Sequence, residues 1–384
     1  MKKVYWEEDG TEVTEGDAGF DESKWYEYKE QSGDTTSGGN SHWANVKTED
    51  GSYFVWIPRY AYRIVYFDTP ENAEAYRADK SQTTGIIGYS DARGIVDTEG
   101  KTPSDLQDPV TSIGIGENKL RTHPVFETDL DQGGWSNKLE GIWVAKYEAS
   151  EGTNNKPKFE PGVISWRDET IGDMYEIAYE YDRNKESHLM KNSEWGAVAY
   201  LAESKYGRNG TAVSRNTDNG YYTAGENGAK PSTNKLQSTT GNEYGIFDTV
   251  GGAWEYVAGY IADSSQSYGN SFASTDNTTN NKKESTTYAT VYKMTTSNSL
   301  KDNYKINTNK IFGDATTETS TSESGSTSWH SEGSYIVGID GGINYPFFLR
   351  GGNYDSSNAG LFNFDRNLGS SYSSFSFRVS LAVL

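Results

Sequence analysis

Two segments of this chain carry an apolar stripe at helical period, and almost everywhere else short aromatic runs alternate with Gly, Asn, Ser and Thr. In the first, Ile171, Met174, Tyr175 and Ala178 recur at i, i+3, i+4 and i+7, behind a capping-box-like start at Thr170 and Asp173. The second begins near Asn192 and Ser193 and aligns Trp195, Val198, Ala199 and Ala202, with Gly207 placed as a C-terminal cap. Strands are expected at Ser52-Tyr53-Phe54-Val55-Trp56-Ile57-Pro58, at Ala61-Tyr62-Arg63-Ile64-Val65-Tyr66 and at Gly141-Ile142-Trp143-Val144-Ala145-Lys146-Tyr147-Glu148. Strands, then two helices, then a long loop-rich region closing on short strands predict an α+β domain.

The flanking regions have weaker patterning. Residues 1–52 are acidic and rich in Gly, Ser and Thr, and read as a partly ordered N-terminal extension to a domain spanning 53–384. Residues 67–135 read as an elaborated loop region, and 262–330 as a polar Ser/Thr/Asn insertion with a few strands.

Composition narrows the function classes. Hydrophobic residues make up only 34%, but 28 Tyr and 10 Trp among 384 residues let large amphipathic rings build the core. A net charge of -20 leaves nothing to neutralise a run of phosphates, so no nucleic-acid partner is expected. Without Cys there is no thiolate metal site or catalytic thiol. No apolar run reaches the length of a signal peptide core or a membrane span, so direct membrane insertion is not expected. The expectation is then that the chain travels as part of a particle or complex, or that its anchor lies outside this sequence.

Three separated motifs carry the most specific signal. Gly245-Ile246-Phe247-Asp248-Thr249-Val250-Gly251-Gly252-Ala253-Trp254-Glu255-Tyr256 is followed by Phe348-Leu349-Arg350-Gly351-Gly352-Asn353-Tyr354, and the chain closes with Phe375-Ser376-Phe377-Arg378-Val379. Gly251-Gly252 and Gly351-Gly352 should mark tight turns or bulges. Trp143, Trp195 and Trp254 are expected in the core, with Arg350 and Arg378 partly buried and paired with carboxylates such as Glu255. Together with Phe54-Val55-Trp56-Ile57-Pro58, Lys146-Tyr147-Glu148 and Ser193-Glu194-Trp195, the pattern resembles the formylglycine-generating-enzyme-like, or sulfatase-modifying-factor, branch of C-type-lectin folds. That resemblance implies a C-type-lectin-like fold with two helices, short twisted antiparallel strands and long loops.

The enzymes for which that branch is named depend on cysteine, which this chain lacks, so their oxidation chemistry is not inherited. His42, His123, His188 and His330 are scattered and read as hydrogen-bonding residues. Asp129 and Asp131 read as a solvated turn, and Glu160-Pro161-Gly162 lacks the amide of the calcium-lectin sugar signature. Neither a cofactor nor a metal is expected, and the chain reads as non-enzymatic.

The stretch from Asn353 to Ser376 is the candidate ligand surface, because Asn, Ser, Tyr and Asp supply 15 of its 24 residues. Such side chains are poor core material but match antibody paratopes, where Tyr gives contact area and Ser or Asn adaptable hydrogen bonds. The segment also resembles the variable region of proteins diversified by diversity-generating retroelements, in which mutation of AAY codons reaches Asn, Ser, Tyr and Asp. That resemblance implies displayed positions at Asn353, Tyr354, Asp355, Asn358, Asn363, Asp365, Asn367, Ser370, Ser371, Tyr372 and Ser373, over anchors at Ala359, Gly360, Leu361, Phe362 and Phe364. The reading is an adhesion or ligand-binding protein on a phage particle or bacterial surface, with an unknown protein or glycan ligand. Two alternatives stand beside it: a metal- or carboxylate-dependent enzyme on the same fold, and a structural phage or surface protein without a ligand.

Overall fold

The computed structural model describes residues 1–31, 33, 35–67, 87–93, 121–262, 286–293, 311–316, 318–320, 324–335 and 345–383. Their architecture is mixed α+β. Seven strands form a wholly antiparallel sheet: Lys2–Trp6 (β1), Glu12–Thr14 (β2), Asn45–Lys47 (β3), Tyr53–Pro58 (β4), Gly141–Ala145 (β8), His188–Leu189 (β11) and Val379–Leu381 (β19), in the order β11-β19-β8-β4-β3-β1-β2. Ala61–Phe67 (β5) pairs with Ile87–Arg93 (β6) and Arg121–Thr122 (β7), and Ser150–Glu151 (β9) with Pro157–Lys158 (β10).

A second sheet is mixed. Trp254–Ala262 (β12) runs antiparallel to Phe347–Gly351 (β16) and parallel to Thr290–Lys293 (β13) and Phe375–Phe377 (β18). Gly360–Asn367 (β17) follows β16 and pairs with Ser334–Tyr335 (β15), which meets Ser324–Gly325 (β14). The chain crosses from this sheet to the first at Arg378, between β18 and β19.

Both expected helices are present. Ile171–Tyr179 (α1) starts where the Thr170 hydroxyl accepts from the Asp173 amide at 3.2 Å, and it buries Ile171, Met174, Tyr175 and Ala178. Asn192–Glu203 (α2) opens on the Glu194 carboxylate, which accepts from the Lys191 amide at 2.9 Å. Its burial is not confined to one stripe, because all twelve residues are enclosed. Tyr60 donates to the Ala197 carbonyl at 2.6 Å, Trp195 Nε1 reaches the Leu361 carbonyl at 2.8 Å, and the buried polar ends are satisfied by pairs such as Glu194–His188. Gly207 is not the helix cap. The helix stops at Glu203 with Ser204 extended, and Gly207 is needed because a side chain there would meet the Ala202 backbone at 2.3 Å.

The first fifty residues are more than a lead-in. They supply β1 to β3, and Val4, Tyr5 and Trp43 are fully buried. Indole donors fix this segment in place: Trp25 to the Asn45 carbonyl at 2.6 Å and Trp43 to that of Tyr206 at 2.7 Å. Several described residues of 262–330 are likewise core. Tyr292 donates to Asp314 at 3.0 Å, and Ile311, Ala315 and Trp329 lie in the main hydrophobic cluster. Most of 67–120 and much of 263–323 lie outside the described residues, so the loop and insertion readings there are only partly placed.

Candidate functional site

The foundations of the C-terminal surface are two buried arginines. Arg378 lies with its guanidinium against the Glu255 carboxylate and donates to the carbonyls of Ala145 at 3.0 Å and Phe247 at 3.1 Å. Burial works against its charge, but Glu255 outweighs that cost and holds the Arg378 pKa above its ordinary value. Arg350 is fully buried and has no ion pair among the described residues; it donates to Asn192 Oδ1 at 3.2 Å and to the carbonyls of Ala315 at 3.0 Å and Leu361 at 3.3 Å. The expectation of an acidic partner thus holds for Arg378, whereas carbonyls and an amide serve Arg350. Trp195 is core, but Trp143 and Trp254 are only half-buried.

Both glycine pairs turn the chain as their sequence implies. Gly251, Gly252, Gly351 and Gly352 have φ of 80, 66, 84 and 77°, the left-handed region that a Cβ disfavours. Gly351-Gly352 ends β16 and launches the loop 352–359, and a second loop, 368–374, leads from β17 to β18. Because β18 lies parallel to β12 at Trp254, the second loop returns toward the first. The Ser374 carbonyl accepts from the Trp254 amide at 2.8 Å, and the Tyr354 amide donates to the Gly252 carbonyl at 2.9 Å.

Where the two loops meet, residues from the middle of the chain stand between them. The Arg167 guanidinium lies 4.1 Å over the Tyr221 ring, and the Tyr354 ring meets Tyr221 edge-on at 5.1 Å. Arg167 also donates to the Ser373 carbonyl, and the Asp168 amide to that of Tyr372 at 3.2 Å. Tyr221 and Asp168 both have positive φ, 59 and 68°, conformations that cost a non-glycine residue free energy and persist only when the surroundings hold them. They are held from below. The Tyr221 carbonyl accepts from the Ser165 amide at 2.9 Å, while the Ser165 hydroxyl binds the buried Glu148 carboxylate. Asp248 accepts from Asn216 Nδ2 and the Ala224 amide, both at 2.9 Å. Burial pushes the Glu148 carboxyl well above the usual range and Asp248 up to about 6.

The eleven expected positions divide. Asp355, Ser371, Tyr372 and Ser373 are exposed, and Asn353, Tyr354 and Ser370 are half-buried in the same two loops. Asn358 is half-buried, its carbonyl taken by the Gly333 amide at 2.9 Å and Asn363 Nδ2 at 2.7 Å. Asn363 is only 1% exposed and is scaffold, not display, because the start of β17 is buried on both faces. Asp365 is half-buried in β17, and burial raises its pKa. Asn367 organises the second loop: its Oδ1 accepts from the Tyr256 hydroxyl at 2.7 Å and from the amides of Gly369 at 3.0 Å and Ser370 at 3.3 Å.

Sequence reasoning missed Arg167, Asp168 and Tyr221, which lie outside any periodic element. The only local signal was the aromatic pair Tyr221-Tyr222 within a Gly- and Asn-rich stretch. Among the described residues, no group of three or more His, Asp or Glu side chains is placed to hold a metal ion. The histidines make hydrogen bonds or stack: His188 with Glu194 at 2.9 Å, His330 with Glu203 at 3.1 Å, His123 with the Gly313 carbonyl at 2.9 Å, and His42 on the Tyr244 ring. No helix among the described residues is long and apolar enough to cross a membrane. No protein-family model matches this chain, and no curated protein matches it either.

Proposed function

We propose that this chain is a non-enzymatic ligand-binding protein with a C-type-lectin-like fold of the formylglycine-generating-enzyme-like branch, displaying a diversified C-terminal surface on a phage particle or bacterial cell. The observation that carries this reading is the convergence of loops 352–359 and 368–374 around Arg167 and Tyr221. Apart from Leu368, the exposed side chains there are Asp, Ser and Tyr, suited to adaptable recognition of a protein or glycan, and they stand on a base fastened by buried arginines and carboxylates. Rigid support beneath small polar and tyrosine contacts is what a surface that changes its contacts without changing its fold requires. Of the expected positions, Asp355, Ser371, Tyr372 and Ser373 are the exposed ones on that surface, with Asn353, Tyr354 and Ser370 at its base.

The decisive test is the DNA around the gene. A near-copy of the segment encoding residues 353–376, differing at adenines and lying beside a reverse-transcriptase gene, is the expected finding. Identical coding segments in many isolates, with no such copy, would remove the diversified history and leave a fixed binder. A peptide selected on the full chain from a random library should lose binding when Tyr354 and Tyr372 are replaced by Ala; a selected ligand indifferent to both would place recognition elsewhere.

A further inference from the structure

Beside the two loops, and sharing Arg167 with them, lies an open groove of about 650 Å³ whose walls come from residues 150–151, 160, 162–169, 222 and 227. Its floor includes Ser165 and Trp166, both buried, and Ile164 is left 48% exposed within it. Arg167 belongs at once to the groove and to the loop junction, but its charge is engaged there: the guanidinium lies over Tyr221 and is bound to the Ser373 carbonyl. Arg167 keeps its positive charge, but the unpaired carboxylates of the groove outnumber it. Among the described residues Glu151, Asp168 and Glu169 form no ion pair, whereas Glu160 is paired with Lys158.

We infer that this groove is the fixed half of the recognition surface and takes an extended, lysine- or arginine-bearing segment of a protein partner. The inference rests on the binder reading above and names the partner's chemistry. The groove is open to solvent, so a segment can lie along it without threading, and its aromatic and aliphatic surface suits the methylene stems of basic side chains. The carboxylates Glu151, Asp168 and Glu169 receive the cationic heads. A chain of net charge -20 also steers a basic segment toward it and repels an acidic one. The variable loops then choose among partners that all offer the same basic anchor.

The test titrates an acetylated, amidated tetralysine peptide into the full chain at low ionic strength, by calorimetry. Three proteins are compared: wild type, the groove variant E151Q/D168N/E169Q, and a control, E8Q/E15Q/E49Q, which removes equal charge elsewhere. The groove substitutions keep the fold, since Glu169→Gln retains an acceptor for Trp166 Nε1 and Asp168→Asn tolerates the left-handed backbone at that position; melting curves verify this. Binding about ten-fold weaker in the groove variant, with the control like wild type, is expected from two exposed charges and one half-buried one. No binding to wild type, or equal weakening in both variants, overturns the inference. The binder reading fails separately, through a library-selected ligand that ignores Y354A/Y372A.

Discussion

The Tyr354 ring stands edge-on to Tyr221 at 5.1 Å, so the first C-terminal loop rests on a residue from the middle of the chain whose own backbone is held in a left-handed conformation. An edge-to-face pair of this kind contributes about 0.5–1.5 kcal/mol. Tyr354→Ala should therefore cost that plus the apolar area its half-buried ring covers, about 1–3 kcal/mol in all, and Tyr372→Ala, at a residue 53% exposed, less. Affinity for a library-selected ligand should fall at least about ten-fold in each, as for tyrosines at the centre of an interface. Melting curves and binding isotherms on the same samples separate the two effects.

Display and scaffold positions within one stretch should answer differently to the same replacement. Asp355→Tyr, in the exposed loop, should change stability by less than about 0.5 kcal/mol. Asn363→Tyr forces a ring into a site where Nδ2 already bonds the Asn358 carbonyl and packs on Gly333, and should cost about 1–3 kcal/mol. Urea denaturation of the pair reads the difference directly.

Arg378→Met removes the donors to Glu255 and to the carbonyls of Ala145 and Phe247 where the chain passes between sheets. It leaves a fully buried carboxylate without its cation, a loss of about 3–5 kcal/mol. Adding Glu255→Gln should recover part of that loss, which a double-mutant cycle in urea measures.

The contribution of His330 and Glu332 to stability should fall as pH rises from 6.5 to 8. Burial works against the charge of His330, but Glu203 at 3.1 Å outweighs it and holds the imidazole up at about 9, against 6.5 when unfolded. Burial pushes Glu332 from 4.5 up to about 8. In both cases the native state binds more protons than the unfolded one across this window. Each group therefore contributes stability that is present at lower pH and lost on the alkaline side, on the order of 1–2 kcal/mol. Glu332→Gln, neutral throughout, should flatten the slope seen in melting temperatures measured across the window.

Some of this molecule is readable locally. Thr170 and Asp173 announce α1, the run Tyr53–Pro58 is a strand, and the two glycine pairs turn where their left-handed φ requires glycine. Each of these depends on neighbours within a few residues. Residues 1–52 escape local reading for the opposite reason: β1, β2 and β3 are only five, three and three residues long, too short to show a period, and pairing with β4 and burial of Trp43 give them order. Asn363 escapes it because alternation cannot assign a side chain to solvent in a strand covered on both faces.

By itself the sequence determined an α+β chain with two helices, aromatic strands, a net charge of -20, and a C-terminal stretch too polar to be core throughout. Tertiary structure alone decided which of those polar residues reach solvent and what stands beside them. Arg167 and Tyr221 join Tyr354 and Ser373 only because the parallel pairing of β18 with β12 folds one loop back on the other. Such contacts between distant segments depend on packing and register, which leave no periodic trace in the residues that make them.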